Sequence, residues 1–263
     1  MSTQHERATV FRDLHVKGDP VIVFNIWDPG SARVLQEIGA NVIATGSWSV
    51  AVAHGFEDGE QMPLELALAN LKRIVAAVDL PVTLDVEGGY GQSPAQVRAT
   101  AEQVIDAGAV GINFEDQVVG GDDLYSLGDQ CARISAIRAA ADERDLPLFI
   151  NARTDLFLKA DPADHGDHFD EAVRRARAYA EAGASGFFAP GLRDAKQIEK
   201  LCELAPLPVN IMVLDDTPPT RQLAALGVAR ISYGPGPYRQ AMNALKEAGR
   251  SALSKSQSYV VDD

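Results

Sequence analysis

Residues 81–116 read PVTLDVEGGYGQSPAQVRATAEQVIDAGAVGINFED, and this stretch decides the fold. An apolar run from Pro81 to Glu87 gives way at Pro94 to a segment whose apolar residues recur at three- and four-residue spacing; a second apolar run covers Gly111 to Asp116. Such a change of period predicts strand, helix, strand. Between helix and second strand stands Ala107-Gly108-Ala109, whose glycine accepts the left-handed cap conformation and allows an immediate turn into the strand. The same punctuation recurs at Ile38-Gly39-Ala40, Ala182-Gly183-Ala184 and Leu226-Gly227-Val228. Outward from the central unit, strand-like runs lie at Val21 to Asn25, Val42 to Gly46, Leu148 to Asp155, Gly186 to Ala189, Val209 to Val213 and Arg230 to Tyr233. Helical patterns follow them, including Ser31 to Ile38 and those starting near Pro63, Asp129 and Phe169. Eight βα units with continuously apolar strands predict an α/β protein, a (β/α)8 TIM barrel forming a single domain over residues 1–263. An open doubly wound sheet is the alternative, weakened because no Gly-x-Gly-x-x-Gly follows the first strand. The first fifteen or so residues and the tail after about Leu253 are polar, and are expected to be mobile or in a subunit contact.

Composition narrows the function. With 46% hydrophobic and 23% charged residues, the chain fits an ordinary globular protein and neither a disordered nor a collagen-like one. A net charge of −13 repels phosphate backbones and anionic lipid heads, so neither nucleic acid nor membrane is an expected partner. There is no apolar run of spanning length and no secretory-type N-terminus, which predicts a cytoplasmic protein. Cys131 and Cys202 have no metal-spaced partners and read as packed thiols.

A barrel builds its site at the C-terminal ends of its strands, and there this sequence is acidic. The third strand ends in Asp85-Val86-Glu87, the fourth in Glu115-Asp116 and the fifth in Arg153-Thr154-Asp155. Residues two apart in a strand share a face, so Asp85 and Glu87 project together and Glu115 joins them if that face is the lumen. Converging carboxylates repel one another, and a hard divalent cation relieves the repulsion; Mg2+ or Mn2+ is expected, without the histidine and thiol ligands that Zn2+ favours. Arg153 is placed to grip a substrate carboxylate in bidentate fashion. Ser47, after the second strand, offers a hydroxyl and neighbouring amides to an oxyanion, or forms a plain turn. Gly88, Gly89 and Gly91 let the backbone approach a ligand or turn sharply. Trp27 and Trp48 either wall the pocket or pack in the core. His54 sits in a loop and is expected to be solvent-exposed, while His165 and His168 read as surface and helix-N-terminal residues.

On these residues the chain resembles the isocitrate lyase and phosphoenolpyruvate mutase superfamily. The likeness runs through Thr45-Gly46-Ser47, Asp58, the D-x-E-G-G-Y-G of residues 85–91 where the family carries D-x-D-x-G-Y/F-G, Glu115-Asp116, Asn151 to Asp155, Asn210 and Tyr238 to Met242. The resemblance implies that Asp85 contacts Mg2+ directly, with Glu87 and Glu115 acting through water. It also implies that Ser47 and Arg153 hold the carboxylate and oxo group of a 2-oxo acid, and that Asp58, over the barrel mouth, transfers protons. It further implies a homo-oligomer, a tetramer or dimer that exchanges the last helix between subunits. The chain departs from the family's lyases, which carry a Lys-Lys/Arg-Cys-Gly-His loop after the fourth strand; here Gln117 to Tyr125 holds no cysteine, lysine or histidine. The Asn-bearing loop of the phosphonate enzymes is also missing, and the sixth strand ends in Ala189-Pro190-Gly191.

The function expected from residues and resemblance together is a Mg2+-dependent lyase that cleaves a carbon–carbon bond of a small 2-oxo or 2-hydroxy dicarboxylate through an enolate. Decarboxylation suits the shortened loop, because departing CO2 needs no protein acid. The alternatives are mutase or hydrolase chemistry on a phosphonopyruvate, and a barrel that binds a metabolite without turnover.

Overall fold

A computed structural model describes residues 2–254. Its eight strands are β1 (Val21–Val23), β2 (Ile43–Ala44), β3 (Val82–Asp85), β4 (Gly111–Glu115), β5 (Phe149–Arg153), β6 (Gly186–Phe188), β7 (Val209–Met212) and β8 (Arg230–Ser232). All neighbours are parallel, in the order β1-β8-β7-β6-β5-β4-β3-β2. A parallel bridge between Ile26 and Thr45, with Ile26 N–H donating to Ala44 O at 2.8 Å, joins the two ends and closes the barrel. The chain is a (β/α)8 TIM barrel.

Between strands run α2 (Pro29–Glu37), α3 (Ser47–Ala53), α4 (Leu64–Ala77), α5 (Pro94–Asp106), α6 (Leu127–Asp142), α7 (Leu156–Lys159), α8 (His165–Glu181), α9 (Ala195–Leu204) and α10 (Thr220–Ala225). Their starts are written locally. Asp28 and Ser31 form a capping box before α2, as do Ser93 and Gln96 before α5, each with proline in the first turn. The apolar strand positions Ile112, Phe114, Ile150, Phe187, Ile211 and Ile231 are buried against Leu71, Ile74, Val104, Ile134 and Leu201 of the helices. Each such side chain contributes roughly 1.5–3 kcal/mol on leaving water. The alternate positions turn inward: the register sets Asp85 beside Asn113, Asn113 beside Asn151, Glu115 beside Arg153 and Asn210 beside Arg230. The lumen is polar, and its upper end carries the carboxylates.

The amino-terminal segment departs from expectation. Gln4–Asp13 forms α1, capped by Thr3 and Glu6 as a capping box, and buries Ala8 and Phe11. Phe11 meets Phe149 edge-on at 5.3 Å and His15 stacks on Phe149 at 3.8 Å, so the segment plugs the lower end of the barrel. Gln4 Nε2 donates to the carbonyls of Ile105 (2.8 Å) and Ala109 (2.9 Å), tying the plug to the end of α5.

The opposite terminus behaves differently. The last helix, α11 (Gly236–Leu253), buries just Pro237 and Tyr238 and leaves Leu245 64% exposed. Ile22 of β1 and Phe24 just after it are 42% and 36% exposed. They line a hollow of about 670 Å3 with Val16, Leu35 and Ile38. The polar tail expected after Leu253 lies, from residue 255 on, outside the described residues.

Candidate active site

At the C-terminal mouth of the barrel a cavity of about 170 Å3 is lined by Asn25, Ser47, Trp48, Asp58, Asp85, Asn113, Arg153 and Ser232, with Leu158, Phe188, Met212 and Pro235 completing the wall. Local hydrogen bonds set this geometry. Asn25, just past β1, accepts from the amides of Tyr233 (3.0 Å) and Gly234 (2.9 Å) and donates to Thr45 O (2.9 Å), stapling the loops after β8 and β2 together. Asp85, the last residue of β3, has its amide held by Thr45 Oγ1 at 3.0 Å, and its Oδ2 accepts from the Ser47 amide at 3.2 Å.

The other two expected metal-associated carboxylates are differently engaged. Glu87 sits in the left-handed region at φ +50°, and its Oε2 accepts from the amides of Gly59 (2.8 Å) and Glu60 (2.7 Å). Glu60 reciprocates by accepting from the Tyr90 amide at 2.7 Å. The two carboxylates thus clasp the loop after β2 to the loop after β3. Beneath the clasp Arg133 of α6, fully buried, donates to the carbonyls of Gly88 and Gly91, and its guanidinium lies 3.8 Å from the centre of the Tyr125 ring. Glu115 pairs with Arg153 Nη1 at 2.9 Å.

Burial first, then the negative charge of Asp58 and Asp85, pushes Glu87 up to about 8. Burial drives Glu115 well above the ordinary carboxylate range, against the pull of Arg153. Asp58, on the rim, is raised by desolvation of its carboxyl and by Asp85. Carboxyl groups outnumber cationic side chains at this mouth, and the donors are hard oxygens. Among the described residues no three carboxylate, imidazole or thiol side chains form a cage for a metal ion by themselves. The donor set of the cavity, with the carboxylates Asp58 and Asp85 and neither thiol nor imidazole in its lining, fits a hard cation whose remaining positions are filled by ligand oxygens and water.

Arg153 is the most constrained group. Its Nε and Nη2 donate to the two oxygens of Asp155 (2.5 and 2.8 Å) and its Nη1 reaches Glu115. A guanidinium carries five N–H bonds, so two remain for a ligand. Asp155 is held in turn: its amide donates to Asp116 Oδ1 at 3.0 Å, and Asp116 Oδ2 accepts from Arg175 (2.9 Å) and the Tyr179 hydroxyl (2.8 Å) of α8. A buried chain of charge thus runs from an outer helix to the site.

Of the residues expected at the site, Ser47, Trp48, Asp58, Asp85 and Arg153 come together around the cavity. Asn210 lies beneath it, bonded to Ser232 Oγ at 3.1 Å. Gly89 lies behind it at φ +89°, where a side chain would meet Phe114 at 2.8 Å, so it serves the turn and does not line the cavity. Trp48 packs edge-on to Tyr238 at 5.8 Å. His165 is buried against Phe157 at 5.1 Å as the first residue of α8, contrary to the surface position expected. Reading the sequence missed Asn25, Asn113, Phe188, Met212 and Ser232. Strand alternation from Glu115 to Asn113, and from Arg153 through its neighbour Phe188, carried part of that signal.

Residues 11–253 match the family described as phosphoenolpyruvate phosphomutase. A crystal structure from Burkholderia cenocepacia J2315, whose phosphonomutase name is itself provisional, is 49% identical over 95% of this chain and 100% of that one, with a TM-score of 0.93. The 2-methylisocitrate lyase of Escherichia coli K12 is 28% identical over 98% of this chain and 88% of its own. A phosphonopyruvate hydrolase solved with oxalate and Mg2+ shares the fold, with a TM-score of 0.83 at 22% identity over 94% of this chain and 87% of that one. Taken with the barrel and the acidic mouth, these likenesses establish that the chain belongs to the phosphoenolpyruvate phosphomutase family, whose superfamily includes lyases and mutases.

Proposed function

We propose that this chain is a carbon–carbon lyase dependent on Mg2+ or Mn2+, acting on a small 2-oxo or 2-hydroxy acid by cleaving a bond to C3. The observation that carries the proposal is that two carboxylates, Asp58 and Asp85, line the same small cavity at the barrel mouth as Arg153. A divalent cation bound beside Asp85 would supply a sink for negative charge developing on the ligand's oxygens. The two free N–H bonds of Arg153 bind the substrate carboxylate, and Glu115 with Asp155 fixes their direction. Asp58, which lines the cavity and is raised by desolvation and by Asp85, is the group placed to transfer a proton at C3. Ser47 orients Asp85 through its amide, and Trp48 shields the mouth from water. Asn210 positions Ser232, and Gly89 shapes the turn that presents Glu87.

The assay is release of pyruvate or glyoxylate from a panel of 2-oxo and 2-hydroxy acids, dicarboxylates included, with and without Mg2+. Asp85→Ala is expected to lower kcat/KM by at least about 10²-fold, the scale of losing one electrostatic stabiliser; an undiminished rate refutes the proposal. Phosphonate chemistry is the second reading, favoured by the 49% identical neighbour. Phosphorus NMR of an incubated phosphonopyruvate sample separates the two. The proposal extends to a homo-oligomer in which α11 crosses to a partner and covers Ile22 and Phe24.

A further inference from the structure

Arg230 crosses the barrel. It stands on β8, opposite β4 in the eight-stranded order, and its fully buried side chain reaches through the lumen to place Nη2 3.2 Å from Asn113 Oδ1. Its Nε and Nη1 have no hydrogen-bond partner among the described residues, and its guanidinium carbon lies 5.9 Å from the centre of the Phe11 ring. Burial pulls the group down to about 10, so it is still charged at neutral pH. A buried cation with so few partners costs the fold stability. What it does supply is a fixed amide. Asn151 Nδ2 donates to the same Asn113 oxygen at 2.8 Å. A guanidinium has donors and no acceptor, so the Asn113 atom that meets Arg230 must be the carbonyl oxygen, and the amide is held one way round. Asn113 lines the cavity, in register beside Asp85, and no described group accepts from its Nδ2. The N–H bonds of Nδ2 are what it offers there.

We infer that Asn113 binds the substrate, donating from Nδ2 to an oxygen of the 2-oxo or 2-hydroxy acid, and that Arg230 is the positioning residue that turns and polarises the amide for this contact. The inference rests on the lyase reading above and adds to it a donor without charge. Arg153, which lines the same cavity, already bonds Glu115 and Asp155. Arg230 does not line the cavity, so its charge reaches the ligand through Asn113. A cation at the oxygen end of an amide draws electron density from the N–H bonds and makes them stronger donors. An anionic ligand is thereby favoured beside Asp58 and Asp85, where its oxygens would otherwise meet further carboxylate oxygens.

Calorimetric titration of the full chain with oxalate in Mg2+ reads the contact. The parent is expected to bind; no binding overturns the lyase reading and this inference with it. Asn113→Asp keeps an acceptor for Arg230 and Asn151 while exchanging the donor toward the cavity for a second acceptor. It is expected to weaken oxalate binding at least about tenfold, the scale of a lost hydrogen bond to a charged group, with a urea midpoint at or above the parent's. Unchanged affinity, or affinity lost together with the fold, overturns the inference and leaves the lyase reading standing. Arg230→Met relieves the lumen of a desolvated charge. It is expected to weaken oxalate binding in the parent and to have little further effect in the Asn113→Ala background, since the two residues act as one. Equal factors in both backgrounds, or failure of Arg230→Met to fold, overturn the role given to Arg230. Nitrogen-edited NMR separates contact from mere structure. The side-chain amide signal that Asn113→Asp removes is expected to move when oxalate is added, and to be displaced by Arg230→Met before any ligand is present. A signal indifferent to oxalate overturns the contact, and one indifferent to Arg230→Met overturns the positioning.

Discussion

His15 shows how one side chain ties stability to pH. Its Nδ1 lies 2.8 Å from Phe11 O, its ring is sandwiched into the barrel base, and burial, aided by the charge of Arg230, pushes it down to about 3. A histidine that titrates lower in the folded state than its ordinary value of 6.5 binds fewer protons folded than unfolded between those limits. Its contribution is therefore whole above pH 6.5 and drains away as pH falls toward 3, by up to about 1.4 kcal/mol for each pH unit crossed. Urea unfolding of His15→Phe at a series of pH values is expected to show a shallower acid limb than the parent, because the ring stack on Phe149 persists without a titrating group. Identical limbs would show that His15 ionises freely. The sequence marked Asp85 and Arg153 because strand ends in a barrel must face the site, and Asp58 through the family resemblance. It could not mark His15, whose neighbours Phe149 and Arg230 are brought to it by closure of the barrel alone.

At the scale of elements, the loops after β2 and β3 act as a unit held on α6. Glu87 and Glu60 exchange amide bonds between the loops, and Arg133 satisfies two carbonyls of the second loop from below. Glu60, Glu87 and Tyr90 all lie at positive φ, each an unfavourable conformation that the clasp must hold. Arg133→Leu removes the charge-assisted donors and strands the carbonyls of Gly88 and Gly91 in a buried place. The expected loss is about 2–4 kcal/mol in chemical denaturation, together with weaker oxalate and Mg2+ binding, since the turn that carries Glu87 is released. Full stability in this variant would mean that water replaces the guanidinium. The βα rhythm was legible because strand and helix periods and glycine caps are local. Helix starts were less so: α8 begins at His165 and not near Phe169, because Phe157 packs against His165 and extends the helix by a turn. Helix α1 had a readable capping box in Thr3 and Glu6, but its short apolar face of Ala8 and Phe11 gave little periodicity.

For the whole molecule, the barrel is closed and capped below, and one outer face is left bare. Seven strands have their outward side chains covered, whereas Ile22 of β1 and Phe24 just after it face a large hollow while α11 extends with Leu245 and Leu253 uncovered. Exposed apolar surface in two complementary places on one chain is the arrangement that exchange of α11 between copies would bury. Light scattering is expected to give two or four times the chain mass of 28.1 kDa; a mass near 28.1 kDa would refute exchange. Ile22→Glu sharpens the distinction. On a free surface a charge at this half-exposed position changes stability by about 0.5 kcal/mol or less. Beneath an exchanged helix the same carboxylate is desolvated without a partner, so the assembly is expected to dissociate at concentrations where the parent stays whole. An oligomer indifferent to Ile22→Glu would place the subunit contact elsewhere and leave α11 without its proposed seat.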